Sequence, residues 1–262
     1  MAESTPISSS PERIFRLDGR VAIVTGASSG FGARFARVLR SAGARLVLGA
    51  RRLDRLEALA DSLGEALPVR CDLADMADAE ALVAAALAHY GQVDIVVNNA
   101  GISRVGPALE ESLDEFVSTL SVNLIGAFAV ARYAAASMIK AKSAGSIVNV
   151  ASILGLVGNG NLPGAGYAAS KGGLVNLTRE LGVQWARQGV RVNALCPGFF
   201  PTEMTADMFG SERGADWIRR HTPMGRGGRE DELDGALLFL CSDASSYVTG
   251  STVLVDGGWT AT

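Results

Sequence analysis

The feature that most constrains this chain of 262 residues is a repeated alternation between two patterns. Short, nearly continuous apolar runs, rich in β-branched residues, alternate with longer stretches whose apolar residues recur at helical spacing. Such apolar runs are typical of strands buried on both faces of a parallel sheet. The predicted strands are 20–25, 45–49, 67–71, 93–97, 146–150, 190–195 and 252–255. The predicted helices are 31–42, 52–63, 76–90, 112–138, 168–187 and 230–241.

Strands that alternate with helices imply right-handed βαβ crossovers. The pattern therefore predicts an α/β fold: a single-domain, Rossmann-like, doubly wound parallel sheet of about seven strands with helices on both faces. No linker or change of composition divides residues 17–262, so we expect one domain there. Residues 1–16 are rich in Ser, Pro and Glu and lack periodicity, and are expected to form a mobile leader.

Composition excludes several function classes. The chain has 24 basic and 27 acidic residues and a net charge of −3, which argues against a nucleic-acid binder. Its two histidines, His89 and His221, are too few for a histidine-rich metal site, and no metal is expected. Cys71, Cys196 and Cys241 have no disulfide or metal spacing, which indicates a reducing compartment. Without a secretory signal or an apolar run of 18 residues, we expect a cytoplasmic protein and no membrane association.

A glycine cluster follows the first predicted strand and opens the first predicted helix. Gly26, Gly30 and Gly32 permit a tight turn, close approach of backbone N–H groups to a diphosphate, and close packing of helix on strand. The helix N-terminus adds partial positive charge, and Ser28 and Ser29 add hydroxyl donors. An ordinary glycine-rich turn is the alternative, but the position after the first strand favours a dinucleotide site.

The end of the second predicted strand bears on the choice of nucleotide. An acidic side chain there usually holds a free ribose 2′-hydroxyl, yet this chain has Arg51 and Arg52 and no carboxylate. A guanidinium at Arg51 suits a 2′-phosphate, so we expect NADP(H), with NAD(H) as the alternative. In the competing interpretation, both arginines belong to a solvated helix start with Asp54 and Glu57 as charge partners.

Polar and small residues also follow the third and fourth predicted strands. Asp72 either caps the next helix or accepts a hydrogen bond from an adenine amino group. Asn98, Asn99, Ala100 and Gly101 would let the chain pass close to a flat ring, although each is also an ordinary turn residue.

Tyr167 and Lys171 are four residues apart at the start of a predicted helix and lie on one helix face. An unperturbed tyrosine has a pKa near 10, so acid–base work at neutral pH needs a lowering of about three units. A nearby ammonium and a positively charged nicotinamide both act in that direction. By itself the pair is more often an ordinary amphipathic surface; the preceding motifs favour the catalytic interpretation.

Taken in order, these motifs resemble the classical short-chain dehydrogenase/reductase family over nearly the whole chain, residues 17–259. The matching positions are Thr25 to Gly32, Asp72, Asn98 to Gly101, Asn123, Ser152, Tyr167, Lys171, Pro197, Gly198 and Thr202. The resemblance implies one dinucleotide-binding catalytic domain over 17–262.

The resemblance also implies a role for each catalytic position. Tyr167 would exchange the proton, Lys171 would bind the nicotinamide ribose and lower the Tyr167 pKa, Ser152 would bind the substrate oxygen, and Asn123 would hold a water that links Lys171 to solvent. The residues expected at the nucleotide are Gly26, Ser28, Ser29, Gly30, Phe31, Gly32, Arg51, Asp72, Leu73, Asn99, Ala100, Gly101, Tyr167, Lys171, Pro197, Gly198, Phe200 and Thr202.

Two segments bear on the substrate. The interval from Ser152 to Tyr167 is longer than the commonest spacing in the family, and we expect it to reshape a wall of the substrate pocket. Residues 199–226 are expected to form a mobile loop whose aromatic and Met residues either cover an apolar substrate or pack as ordinary helices.

The predicted function is hydride transfer between NADP(H) and a small alcohol or carbonyl compound, with an apolar substrate expected. The alternatives are an NAD(H)-preferring dehydrogenase or a 3-oxoacyl-thioester reductase of the same family, a non-enzymatic nucleotide-sensing regulator, and a carbon–carbon or dehydratase enzyme with bound NAD. Because subunit contacts in this family commonly involve the C-terminus, we expect a homotetramer.

Overall fold

The computed structural model describes residues 12–262, so most of the predicted leader, residues 1–11, lies outside the described part of the chain. Seven strands form one parallel sheet in the order β3-β2-β1-β4-β5-β6-β7. Their bounds are β1 Val21–Thr25, β2 Arg45–Ala50, β3 Ala66–Arg70, β4 Ile95–Asn98, β5 Gly145–Val150, β6 Val190–Pro197 and β7 Thr252–Val255. The doubly wound α/β sheet predicted from the sequence is confirmed.

Helices cover both faces of the sheet. Their bounds are α1 Gly30–Ser41, α2 Leu53–Leu63, α3 Met76–Tyr90, α4 Leu113–Leu120, α5 Ala127–Ala141, α6 Ala165–Trp185, α7 Ala206–Phe209, α8 Glu212–His221 and α9 Asp234–Cys241. One buried cluster joins the sheet to α1, α2 and α9, and a second joins it to α3, α5 and α6. Successive β1 side chains enter these two cores in turn, which explains why β1 is apolar throughout.

Every predicted strand is present with its ends within two residues, but three predicted helices differ in detail. The predicted helix over 112–138 is α4 and α5 joined by a π-helical turn, Ser121–Gly126, and it continues to Ala141. α6 begins three residues earlier than predicted, at Ala165. The first four residues of the predicted helix at 230 form a 3₁₀ turn, Glu230–Leu233, before α9.

The joined helices over Leu113–Ala141 are long and apolar enough to cross a membrane by length and composition alone. Half of the most apolar window is buried inside the fold, against the sheet and α3. The buried core helix of a globular domain has this character, so the observation does not require a bilayer.

The strand order changes direction between β1 and β4, because the chain winds outward from β1 to β3 and then returns to β4 beside β1. In open parallel sheets a ligand binds at such a switch point, outside the carboxyl ends of the strands. The loops that follow β1 and β4 meet there, and they carry the glycine cluster and Asn99 to Gly101.

Candidate active site

A cleft of about 760 Å³ opens at the carboxyl ends of the strands. Every residue predicted for the site lines it except Gly32 and Asn123, which lie directly behind its wall. We call the part lined by Gly26 to Phe31, Arg51, Arg52 and Asp72 the nucleotide end. We call the part lined by Ile102 to Arg104, Ser152, Tyr167 and Met204 the substrate end.

The glycine turn is shaped by close backbone contacts. A Cβ atom on Gly26 would lie 2.8 Å from the Ala100 Cα, and one on Gly32 would overlap the Gly26 carbonyl oxygen. Thr25 completes the contact, because its Oγ1 accepts hydrogen bonds from the N–H groups of Asn99 and Ala100 at 3.0 Å. Any larger side chain at 26 or 32 would push the two loops apart.

The two adjacent arginines at the nucleotide end differ in their contacts. Arg52 donates to the hydroxyls of Ser28 and Ser29 and forms an ion pair with Glu203 at 3.1 Å. Within residues 12–262, Arg51 has no ion pair, and it lines the cleft from an exposed position. The charge partner of Arg52 is therefore Glu203, 151 positions away, and neither Asp54 nor Glu57 as one interpretation expected.

Asp72 is not the helix cap that one interpretation proposed. The N-cap of α3 is Asp75, which accepts from the Ala77 N–H, whereas Asp72 accepts from the Ala74 N–H at 3.1 Å in the preceding turn. Asp72 and Leu73 both line the cleft, so the nucleotide-facing interpretation of Asp72 stays a prediction.

Tyr167 and Lys171 lie in the first two turns of α6 and both line the cleft. The Lys171 side chain is buried, its Nζ donates to the Val150 carbonyl at 2.7 Å, and it lies 5.7 Å from the centre of the Tyr167 ring. Ser152 follows β5 and is buried beside them. The end of β5 and the start of α6 thus hold a hydroxyl, a phenol and an amine at one place in the cleft.

Asn123 lies in the π-helical turn, behind Lys171. Its Oδ1 accepts from the Ile102 N–H at 2.8 Å, and its Nδ2 donates to the Ile102 carbonyl and to the Ser170 hydroxyl. The widened turn directs this amide inward, where it ties the loop after β4 to α6. π-turns frequently occur at functional sites.

This arrangement can be compared with known proteins. A family model described as enoyl-(acyl carrier protein) reductase matches residues 26–260. Galactitol 2-dehydrogenase (L-tagatose-forming) of Cereibacter sphaeroides is 44% identical over 94% of this chain and 97% of its own length. The chain belongs to the short-chain dehydrogenase/reductase family.

Other relatives that match most of the chain are also dehydrogenases. Gluconate 5-dehydrogenase of Gluconobacter oxydans is 38% identical over 94% of this chain and 97% of its own. The crystal structure of a gluconate 5-dehydrogenase from Burkholderia cenocepacia, in complex with NADP and tartrate, superposes with a TM-score of 0.91 and 37% identity. It covers 97% of this chain and all of that one. This short-chain dehydrogenase/reductase is an oxidoreductase that acts on CH–OH donors with a nicotinamide cofactor.

The nucleotide end fits such a cofactor. Among the described residues, no side chain caps the N-terminus of α1, which leaves the first N–H groups of this twelve-residue helix available for an anion. Gly30 has a φ of +50° and an open Cβ position, with the Thr202 side chain nearest at 3.7 Å. A diphosphate can therefore approach the main chain without meeting a side chain.

The nicotinamide side of the cleft is formed by the residues after β6. Pro197, Gly198, Phe200 and Thr202 line it as predicted. A Cβ on Gly198 would lie 2.8 Å from the Asp256 Cα, and Phe200 is buried edge-on against Phe31 at 5.6 Å between ring centres. This wall is therefore packed from both sides.

The pKa values describe the pair without its nucleotide. Burial raises the pKa of Tyr167, and the Ser152 hydroxyl opposes that rise. Burial lowers the pKa of Lys171 to about 8.

The two segments expected to shape the substrate pocket have different positions. No residue of 153–166 lines the cleft; the segment packs behind the loop after β4, where the Gly106 N–H donates to the Pro163 carbonyl at 3.0 Å. Its expected effect on the wall is therefore indirect. In the expected loop over 199–226, Phe199 packs on Trp217 and Trp259, while half-exposed Met204 lines the cleft.

Sequence reasoning missed three residues that the structure brings to the site: Arg104, Glu111 and Glu203. Glu111 accepts from the Gly166 N–H at 3.0 Å and so caps the helix that carries Tyr167. All three depend on contacts between distant segments, for which the sequence carries no local signal. Thr25 begins the matching glycine motif, but its hydrogen bonds to the loop after β4 were not predicted.

Proposed function

We propose that this chain transfers hydride between NADP(H) and a small alcohol or carbonyl compound, with Tyr167 as the acid–base group. The observation that carries the proposal is the convergence of Ser152, Tyr167 and Lys171 at one point of a cleft whose other end is an open glycine turn. The bound nicotinamide accepts or supplies the hydride.

The chain's own residues handle the proton and the substrate oxygen. In the oxidative direction the substrate hydroxyl loses its proton to the Tyr167 oxygen; in reduction Tyr167 returns it. Ser152, buried beside it, donates a hydrogen bond to the same substrate oxygen. Lys171 carries the positive charge that favours the Tyr167 anion, and the Val150 carbonyl fixes its position.

The preference for NADP(H) is supported by Arg51, whose guanidinium lines the nucleotide end and has no ion pair within the described chain. Structures of relatives are described with bound NADP, including a gluconate 5-dehydrogenase and a 2-deoxy-D-gluconate 3-dehydrogenase. A relative from Thermotoga maritima, 36% identical, is a 3-oxoacyl-[acyl-carrier-protein] reductase, so a thioester substrate is the second candidate.

A panel assay tests this function. Secondary alcohols with NADP⁺ or NAD⁺, and ketones and a 3-oxoacyl thioester with NADPH or NADH, are followed at 340 nm. We expect turnover with NADP(H), at least tenfold higher kcat/KM than with NAD(H), and transfer of deuterium to the product carbon from NADPH that carries deuterium at both C4 positions. Turnover without transfer of that deuterium, or none with any compound, would contradict the proposal.

We further propose a cytoplasmic homotetramer. The cytoplasm is supported by three buried and unpaired cysteines, which suit a reducing compartment. The assembly is supported by exposed apolar residues along the joined helices: Leu113, Val117, Ile125 and Phe128. Exposed apolar patches of this kind mark interaction surfaces. Light scattering is expected to give four times the chain mass of 27.2 kDa, and a monomer would contradict the assembly.

A further inference from the structure

The charges that line the cleft are unevenly distributed between its ends. Among the described residues, the acids that line it are Asp72 at the nucleotide end and Glu203, which pairs with Arg52. Lys171 lies between the ends, and Arg104 lines the substrate end. The substrate end therefore holds a cation and no carboxylate.

The guanidinium of Arg104 has no partner within residues 12–262, where it makes neither a hydrogen bond nor an ion pair. Two acids of the neighbouring segment are committed elsewhere: Glu111 accepts from the Gly166 N–H, and Glu115 accepts from the N–H and hydroxyl of Ser112. The hydrogen bonds from Ser112 are the main cause of the lowered Glu115 pKa, and the charge of Arg104 adds a smaller lowering. The exposed guanidinium remains available to a ligand.

The backbone that carries Arg104 is fixed against the catalytic helix. On one side Ile102 makes two hydrogen bonds with the Asn123 amide, at 2.8 and 2.9 Å. On the other side Gly106 donates to the Pro163 carbonyl. The Arg104 carbonyl lies so near Gly164 that a Cβ there would be 2.8 Å away, and Gly164 is three residues before Tyr167. The long segment before α6 thus supports the position of Arg104.

We propose that the substrate carries a carboxylate, which Arg104 binds while the reacting alcohol or carbonyl lies at Ser152 and Tyr167. A guanidinium binds a carboxylate through two parallel charge-assisted hydrogen bonds, which also orient it. This inference rests on the proposed function and narrows it to hydroxy acids and their oxo acids. It replaces the expectation of an apolar substrate.

The test compares acids with their neutral counterparts. Aldonates of four to six carbons are assayed against the alditols of the same configuration, for example D-gluconate against D-glucitol, with saturating NADP⁺. We expect a kcat/KM at least tenfold higher for the acid of at least one pair. For that acid Arg104→Gln is expected to lower kcat/KM about 10- to 100-fold, mainly through KM, with the alditol changed less than threefold.

Two further variants make the result specific. Arg104→Lys keeps the charge but loses the fork, and is expected to recover part of the affinity for the acid. Arg187→Gln is the matched control, since Arg187 is exposed, has no partner within the described chain and does not line the cleft. Calorimetric titration of the enzyme–NADPH complex, which cannot oxidise either compound, with the same acid and alditol gives a readout that is independent of turnover.

The outcomes separate this inference from the proposed function. If alditols or simple alcohols are oxidised as well as every acid, or if Arg104→Gln leaves the preference for acids intact, the carboxylate site is wrong and the oxidoreductase function stands. If no compound is turned over and no acid binds the NADPH complex, both are wrong. A uniform loss for acid and alditol, with a lowered Tm, would show a structural role and would also overturn the carboxylate site.

Discussion

The nucleotide end and the substrate end of the cleft are walled by different parts of the chain. At the nucleotide end the wall is built on a main-chain turn, flanked by Arg51 and Arg52, where Gly26 and Gly32 bring two loops within a distance that no Cβ atom fits. At the substrate end the wall includes the long side chains of Arg104 and Met204. Gly158 and Gly160, in the segment behind that wall, have open space around them.

The difference separates what a fold determines from what a side chain determines. Main-chain contacts tolerate few substitutions, so the glycine turn of the nucleotide end can be found from its glycines together with its position after the first strand. Side chains can be exchanged without moving the backbone, so the substrate end changes its ligand by single substitutions. Relatives that act on galactitol, threitol and gluconate are consistent with this division, since their names share the reaction type and differ in substrate.

The largest effect is expected from adding one methyl group in the glycine turn of the nucleotide end. Gly32→Ala drives a Cβ into the Gly26 carbonyl and should lower the free energy of unfolding by about 3 to 5 kcal/mol, with at least hundredfold weaker NADPH binding. Gly160→Ala, the matched control, should change the free energy of unfolding by less than about 0.5 kcal/mol. Urea unfolding and NADPH fluorescence measure both; similar effects at the two positions would remove the distinction.

The buried amine between the ends gives stability a pH dependence. The pKa of Lys171 is lowered from 10.5 to about 8, so below pH 8 the ammonium is charged in both states and the cost of burying it is fully present. Between pH 8 and 10.5 the folded state loses the proton first, and this cost disappears. The free energy of unfolding of wild type should therefore rise by about 3 kcal/mol, relative to that of Lys171→Met, between pH 7 and 10.5.

Urea unfolding at both pH values measures this gain as a difference between variants, which cancels the ionisation of the buried thiols. Exposed Lys140→Met serves as the control and should follow wild type at both pH values. Parallel pH profiles for wild type and Lys171→Met would show that Lys171 keeps its ordinary pKa.

The glycine turn and the catalytic pair could be predicted because their signals are local. The turn after β1 and the pair Tyr167 and Lys171 each lie within a few residues of sequence, and helical spacing puts the pair on one face. The predicted strand ends were accurate because an apolar run stops where the core stops. The π-helical turn at Asn123 was missed, since the helical period continues through it.

The contacts between distant segments, at both ends of the cleft, could not be predicted in the same way. The pairing of Arg52 with Glu203 joins segments 151 positions apart, and no local sequence pattern near either residue predicts the contact. The start of α6 at Ala165 depends on Glu111, which reaches it from another loop. Arg104 enters the cleft because Ile102 and Gly106 fix its backbone from opposite sides, an arrangement that only the assembled fold reveals.

A smaller effect is expected where a side chain acts at the nucleotide end. Arg51→Ala should raise KM for NADPH about 10- to 100-fold and KM for NADH less than threefold, because only the former carries a 2′-phosphate. Steady-state kinetics with both nucleotides measure the ratio. Equal increases for the two nucleotides would show that Arg51 does not bind the phosphate.

The smallest effect is expected at Glu203. The Ser29 hydroxyl, Arg55 and Arg52 hold the pKa of this carboxyl at about 2, so it is charged at neutral pH. Glu203→Gln should cost less than about 1 kcal/mol of stability, because the ion pairs are exposed. It should also strengthen NADPH binding two- to fivefold by releasing Arg52 and Arg55. Weaker NADPH binding would mean that the carboxylate helps to close the nucleotide end.

The central claim, that Tyr167 is the proton carrier in a cleft otherwise devoted to binding, is tested most directly by a single turnover of NADPH oxidation in stopped flow. Tyr167→Phe keeps the ring and removes the hydroxyl, with Tyr247→Phe, fully exposed and outside the cleft, as control. We predict a rate of hydride transfer at least 10³-fold lower for Tyr167→Phe, with NADPH affinity within threefold of wild type. Hydride transfer at the wild-type rate would contradict the account.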